Sequence, residues 1–298
     1  MSEDNEVLCC ASCGIAEIDD IKLKDCDGCD LVKYCSDDCQ EDHKSEHEEE
    51  CKKRAAELRD ELLFKQPESS HWGDCPICCL PLSLDQQKSI MMPCCSKIFC
   101  KGCVYAASMR EAEMRLQRHS CPFCREPVHI TEGDKDKQRM KRVEANDPIA
   151  LCHEGIVQYK KGDYSRAFEY WSKAAELGAA EAHFRLSILY QGGQGVEQNK
   201  GKEIHHLEEA AIAGHPKARY NLGCYEYDNG NAERAVKHWM ISATQAEDRS
   251  MKPLMDLFKE GYVSKDDLTS ALRAYQTAVN ATKSPQREVA EVFYRENA

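Results

Sequence analysis

The stretch LYQGGQGVEQNKGKEIHHLEEAAIAG, residues 189–214, decides the fold of the C-terminal half. Ala174, Ala175, Gly178, Ala182 and Leu186 return 36 residues later as Ala210, Ala211, Gly214, Ala218 and Leu222. Five matches at one offset are a repeat, and a period of this length marks stacked helix pairs. Small residues four apart let two helices approach closely, and the Gly after each is where a left-handed C-cap belongs. A further unit follows at a shorter offset, with Trp239 in the register of Leu207, 32 residues on. Its loop DNGN is short like the KKGD of the first unit, whereas the second carries the long GGQGVEQN. One helix pair cannot bury its own face, so the units must stack. Tyr159, Tyr164, Trp171, Tyr190, Tyr220 and Trp239 therefore read as core.

These residues resemble the Sel1-like repeats, relatives of the tetratricopeptide helix pairs. GxGV, the later Lys and AAxxG all fall in family positions. The resemblance covers 147–263: three units and a degenerate fourth pair, whose second helix starts at Ser264 with Asp267 as capping partner. It implies a solenoid over 147–279 that binds other proteins and is not itself a catalyst.

Outward from the repeats the composition changes. Of 19 cysteines, 17 lie at or before Cys124. Residues 1–70 hold 21 acidic and 9 basic side chains, so the whole net charge of −12 sits there. A nucleic acid needs a basic footprint, which excludes it as a partner of this end. The start MSEDNEV has neither a basic nor an apolar region of a secretory signal, and no run reaches the 18 apolar residues of a membrane span. The expected setting is cytoplasmic or nuclear, neither secreted nor membrane. There, clustered cysteines read as metal ligands rather than disulfides.

The first block runs Cys10-x2-Cys13, Cys26-x2-Cys29, Cys35-x3-Cys39 and His47-x3-Cys51. Such pairs put two ligands on one tetrahedral Zn²⁺, and eight ligands make two closed, structural sites. About 50 residues cannot bury enough apolar area alone, and each zinc site supplies roughly 10–16 kcal/mol of apparent binding energy instead. Cys9 is an alternative to Cys10, and His43 to His47, both at poorer spacing. The string YCSDDCQ and the spacing to His47 and Cys51 resemble a MYND zinc finger. The resemblance implies interleaved sites: Cys10, Cys13, Cys35 and Cys39 on one ion; Cys26, Cys29, His47 and Cys51 on the other. Lys44 stands where such fingers usually carry the Trp of a groove for proline-rich peptides, which weakens that partner class.

The second block reads CPIC (75–78), PCCSKIFCKGC (93–103) and CPFCR (121–125). It resembles an all-cysteine RING finger, except that Cys94 and Cys95 are adjacent and Lys97 falls near the usual His. The implied cross-brace is Cys75, Cys78, Cys100 and Cys103 on one ion and Cys94, Cys95, Cys121 and Cys124 on the other. One of the adjacent pair completed by His119 or Cys79 is the alternative. In RING fingers that recruit a ubiquitin-conjugating enzyme, positions matching Ile77 and Pro122 form the docking surface, and the position of Arg125 holds ubiquitin.

These readings give small zinc-stabilised α+β modules followed by an all-α helix-pair solenoid. The expected divisions are a MYND-type finger (1–54), a helical linker (55–72), a RING-like finger (73–128), a charged linker (129–146), the solenoid (147–279) and a C-terminal tail (280–298). Four zinc ions are expected. The favoured function is an E3 ubiquitin-protein ligase without a covalent intermediate, its repeats holding substrate or adaptor. The rival is a non-enzymatic scaffold. Cys152 and Cys224 fall at packing positions of repeat helices, and no phosphate loop, HExxH or nucleophile elbow occurs. KQRMKR (137–142) reads as the solvated face of a linker helix before it reads as a nuclear import signal.

Overall fold

A computed structural model gives the architecture and describes residues 8–18, 20–114, 120–128 and 131–297. The chain divides into two compact units, Met1–Lys65 and Gln66–Ala298. In the first, β1 (Lys24–Asp25) pairs antiparallel with β2 (Lys33–Tyr34), and α1 (Asp37–Phe64) follows. Ser36 caps α1 by accepting from the Cys39 N–H. The helix runs unbroken through residue 55, so no separate linker helix exists. At its far end Leu62 is 53% exposed, and Leu63 is the buried residue at 1%.

The second unit begins with the second cysteine block. There β3 (Ser89–Met91) pairs antiparallel with β4 (Ile98–Cys100), which leads into α2 (Lys101–Glu113). α2 starts at Lys101 because Cys100 caps it; residues 115–119, His119 among them, lie outside the described residues. Phe99, Leu82 and Met92 fill the small core between the cysteines.

The segment expected as a charged linker is α3 (Glu132–Glu144), capped by Thr131. It is ordered by burial on one side: Val143 joins the solenoid core, and Arg139 Nε donates to Glu154 Oε2 at 2.8 Å. KQRMKR is thus a helix with Arg139 neutralised inside, Arg142 half-buried against Asp147, and Lys137 and Lys141 facing out.

The solenoid runs α4 (Pro148–Lys160), α5 (Tyr164–Glu176), α6 (Ala180–Gly192), α7 (Lys200–Ile212), α8 (Pro216–Asp228) and α9 (Ala232–Thr244), then the short α10 (Met251–Lys259) and α11 (Lys265–Ala281). Each of the first three pairs packs within itself, and α5 meets α6 as α7 meets α8. The repeat is visible in single contacts. Trp171 Nε1 donates to the Cys152 carbonyl, and Trp239 Nε1, 68 residues on, to that of Tyr220. A Cβ on Gly155 or Gly223 would lie 2.3 or 2.5 Å from those indole nitrogens. Glycine in mid-helix costs about 1 kcal/mol; here it is the only residue that leaves room for the ring. Cys152 is buried and Cys224 half-buried in these helices. As expected, Ser264 caps α11 by accepting from the Asp267 N–H.

The segment expected as a tail holds a final helix, α12 (Pro285–Glu296), which packs on α2. Ser284 caps it, Pro285 opens it, and Arg287 and Ala290 face inward one turn apart. That spacing is amphipathic, and it explains why 285–296 is ordered. Residues 66–73 also lie against the repeats: the His71 N–H donates to the Gly214 carbonyl, and Gln66 Nε2 to Thr244 Oγ1.

Candidate metal centres

Sixteen side chains converge in four sets of four, each set with its ligand atoms within 4.8 Å of one another. In the first unit these are Cys10, Cys13, Cys35, Cys39 and Cys26, Cys29, His47, Cys51; in the second, Cys75, Cys78, Cys100, Cys103 and Cys94, Cys95, Cys121, Cys124. In both units the sets interleave along the chain. His47 and Cys51 lie one turn apart within α1, on a single face, while Cys35 precedes the cap Ser36 and Cys39 lies in the first turn. Sulfur separations carry the chemistry. Cys13–Cys35 is 3.5 Å, Cys35–Cys39 3.6 Å, Cys26–Cys51 3.7 Å, Cys78–Cys100 3.8 Å, Cys95–Cys121 3.8 Å and Cys124–Cys94 3.4 Å. A disulfide is about 2 Å long. Zinc–sulfur bonds of about 2.3 Å arranged as a tetrahedron have edges of about 3.8 Å. The clusters therefore fit zinc.

Electrostatics inside each set point the same way. A hydrogen bond from Cys100 holds Cys75 down at about 4, while Cys100 is pushed up by that bond and by burial. Burial first, and then the charge of neighbouring thiols, pushes Cys103 up to about 12 and Cys95 to about 11. In the first unit burial opposes ionisation of Cys10, yet the backbone N–H groups of Cys13, Cys35 and Ser12 bring it to about 6. Cys35 rises to about 12, chiefly through its contact with Cys13. One thiol of a set ionises readily and the next resist, because negative charge accumulates in a small volume. A divalent cation removes that obstacle.

The alternatives fall outside the sets. His43 bonds to the Tyr34 hydroxyl at 3.0 Å and stacks beside His47. Cys9 and Cys79 are exposed, as is Lys97. The knuckles share one turn: the N–H of Gly14, Cys79 and Arg125 each donates to the carbonyl four residues back, with φ of 75°, 55° and 64°. Glycine takes that left-handed conformation freely; Cys79 and Arg125 take it at a cost of order 1 kcal/mol. Of the expected docking residues, Ile77 is 41% exposed, Pro122 half-buried and Arg125 exposed. Lys44 is exposed and paired with Glu41.

Sequence reasoning missed a buried trio in the second unit. Glu181 Oε2 accepts from His215 Nε2 at 3.1 Å, His71 Nε2 lies 3.3 Å from it, and Arg185 holds Oε1 at 2.7 Å. His215 Nδ1 accepts the Ala218 N–H as the cap of α8, so the ring's proton sits on Nε2. The two imidazoles stack with centroids 4.0 Å apart. Two rings aiming lone pairs at one ion diverge instead, and a protonated Nε2 has no lone pair to give. The trio is a hydrogen-bonded ion cluster. Burial pushes His215 down to about 4, and its bond to Glu181 helps hold that carboxyl well below its usual range against the burial penalty. No signal short of the three-dimensional packing marks these residues, which stand 110 and 34 positions apart.

Among the described residues no helix is long and apolar enough to cross a membrane. Residues 10–51 match the family model described as MYND finger, and 150–178, 180–215 and 216–245 match Sel1 repeat. Similar proteins include DAP3-binding cell death enhancer 1 of Mus musculus, 24% identical over 45% of this chain and 34% of that protein. Protein SHC1 of Saccharomyces cerevisiae is 42% identical over 21% of the chain and 12% of its own length. Cytochrome c oxidase assembly factor 7A of Xenopus laevis is 36% identical over 22% and 29%. The chain thus spans about a third or less of these relatives. A crystal structure of a Sel1 repeat protein from Oxalobacter formigenes aligns with a TM-score of 0.44 at 19% identity, covering 65% of this chain and 86% of that one. The chain carries a MYND-type zinc finger followed, beyond a second pair of cysteine clusters, by a solenoid of Sel1 repeats.

Proposed function

We propose that this zinc-binding, protein-interaction chain is a RING-type E3 ubiquitin-protein ligase, with one zinc ion in each of its four clusters. The sixteen clustered residues are the ligands in this reading. The RING-like finger engages a charged ubiquitin-conjugating enzyme, the solenoid holds substrate or adaptor, and the setting is the cytosol or nucleus. The observation that carries it is the surface position of Ile77, Pro122 and Arg125 on the knuckles of two interleaved cysteine clusters. A purely structural knuckle gains nothing from an Arg in left-handed backbone, where Gly is unstrained. Strain at an exposed position is a reason to look for a function. Such a ligase supplies no nucleophile; it works by proximity and by restraining a thioester formed on its partner.

The test is discharge of ubiquitin from a panel of charged conjugating enzymes, with zinc content measured on every variant. Arg125→Gly relieves the backbone strain and removes the charged donor. It is expected to keep full zinc, equal or better stability and conjugating-enzyme binding, while discharge falls roughly ten- to a hundredfold, the worth of a charge-assisted hydrogen bond. Ile77→Ala loses binding instead. A fully zinc-loaded wild type that discharges no enzyme of the panel refutes the ligase. The scaffold reading, which the adjacency of Cys94 and Cys95 favours, then takes its place. Capture of proline-rich peptides by the first finger is the weaker proposal, since Lys44 gives its groove no aromatic wall.

A further inference from the structure

The last helix completes the second finger. Gln286 Nε2 donates to the Gly102 carbonyl at 3.0 Å, Phe293 packs on Tyr105 with centroids 4.9 Å apart, and Glu291 pairs with Lys88. Gly102 sits between the ligands Cys100 and Cys103, and a Cβ there would lie 2.9 Å from the Cα of Arg287. Arg287 itself is 7% exposed. Its Nη1 donates to the Pro81 and Thr282 carbonyls, both at 2.7 Å, and its Nη2 to the Leu80 carbonyl at 3.0 Å and to Cys78 Sγ at 3.3 Å.

A buried guanidinium without a counter-charge is strongly destabilising. Among the described residues no carboxylate pairs with Arg287; its partners are three carbonyls and one sulfur. Four thiolates around one Zn²⁺ bear a net charge of −2, and Arg287 lies against them. Four protonated thiols would offer it only weak, uncharged acceptors. We infer that Arg287 is the counter-ion of the metal–thiolate cluster formed by Cys75, Cys78, Cys100 and Cys103, so that metal loading and docking of the C-terminal helix α12 on the finger stabilise each other. The inference rests on the proposed assignment of these four ligands and not on ligase activity. Coupling of this kind is reciprocal: chelation frees α12, and loss of α12 loosens the metal.

Two full-length variants test it without touching a ligand. Arg287→Ala removes the charge; Gly102→Ala pushes α12 off. Ala is the better helix former, so in a free α2 the second change would be neutral or stabilising. Zinc release to a chelator is followed by native mass spectrometry, and hydrogen exchange is read over 285–296. Both variants are expected to release one ion roughly tenfold faster or more, the usual effect of losing an outer-shell partner. The other ions should leave at wild-type rates, with protection of 285–296 lost and Arg287→Lys partly restoring both. If all ions leave Arg287→Ala at wild-type rates, or if stripping the metal leaves 285–296 protected, the coupling is refuted. A wild type holding no ion among these four cysteines removes the ligand assignment itself, a failure the ion count distinguishes.

Discussion

Around Phe99 the buried side chains are mostly the clustered cysteines: Cys75, Cys100, Cys103 and Cys121, with Leu82 and Met92 beside them. Around Trp171 they are Leu151, Leu186, Leu189 and Val143, with alanines filling the gaps between helices. The fingers bring their segments together through thiolates, which attract a cation and repel one another without it. The repeats do so through apolar area, which needs no second component. Stability is thus carried by metal in one region and by nearest-neighbour packing in the other.

The largest expected effect is on metal removal. EDTA should abolish the near-ultraviolet signature of the Met1–Lys65 unit as a separate fragment, since each cluster is worth roughly 10–16 kcal/mol. In the full chain the buried Trp171 and Trp239 should keep their blue-shifted fluorescence and a cooperative melt. A repeat region that melts together with the metal would erase the contrast.

Acid should act next. His215 is held at about 4 in the fold, against about 6.5 for an unfolded His. Between these values the unfolded chain takes up a proton that the folded chain refuses. Stability is therefore intact above pH 6.5 and falls as pH drops towards 4, by about 2 kcal/mol between pH 7 and 5. Glu181, also depressed, extends the loss to lower pH, because its contribution is present above its ordinary value and vanishes as pH falls through the depressed one. His215→Asn keeps a capping side chain and should remove this share of the pH 7-to-5 loss; urea midpoints at both pH values, wild type against variant, measure it. Equal slopes would place the acid sensitivity elsewhere, in the clusters or in His206, which burial also holds at about 4.

The smallest effect sharpens the packing side. Gly178 and Gly214 end their helices at φ 81° and 80°, and Ala246 holds the matching place at 65°. Ala246→Gly should gain about 0.5–1 kcal/mol, the relief of left-handed strain less the added entropy of the unfolded chain. A calorimetric midpoint that stays put or falls would mean the turn is already relaxed.

Much of this molecule is readable along the chain. Candidate metal ligands announce themselves by residue type at x2 and x3 spacing, because a turn of backbone sets how far apart two ligand atoms stand; the fourteen side chains so spaced converge, together with Cys94 and Cys95, in four sets. Helix pairs show as recurring alanines and glycines because close packing demands small residues at a fixed period. Adjacent Cys94 and Cys95 were ambiguous on spacing alone, and only the β3–β4 turn brings both into one set. Tertiary structure alone decided the rest: that 285–296 closes onto α2, that Arg139 of a charged stretch is buried against Glu154, and that His71, Glu181 and His215 meet. These are partnerships between distant segments, made by single polar side chains that burial forces to find a counter-charge. Burial is a property of the folded whole, and no local period records it.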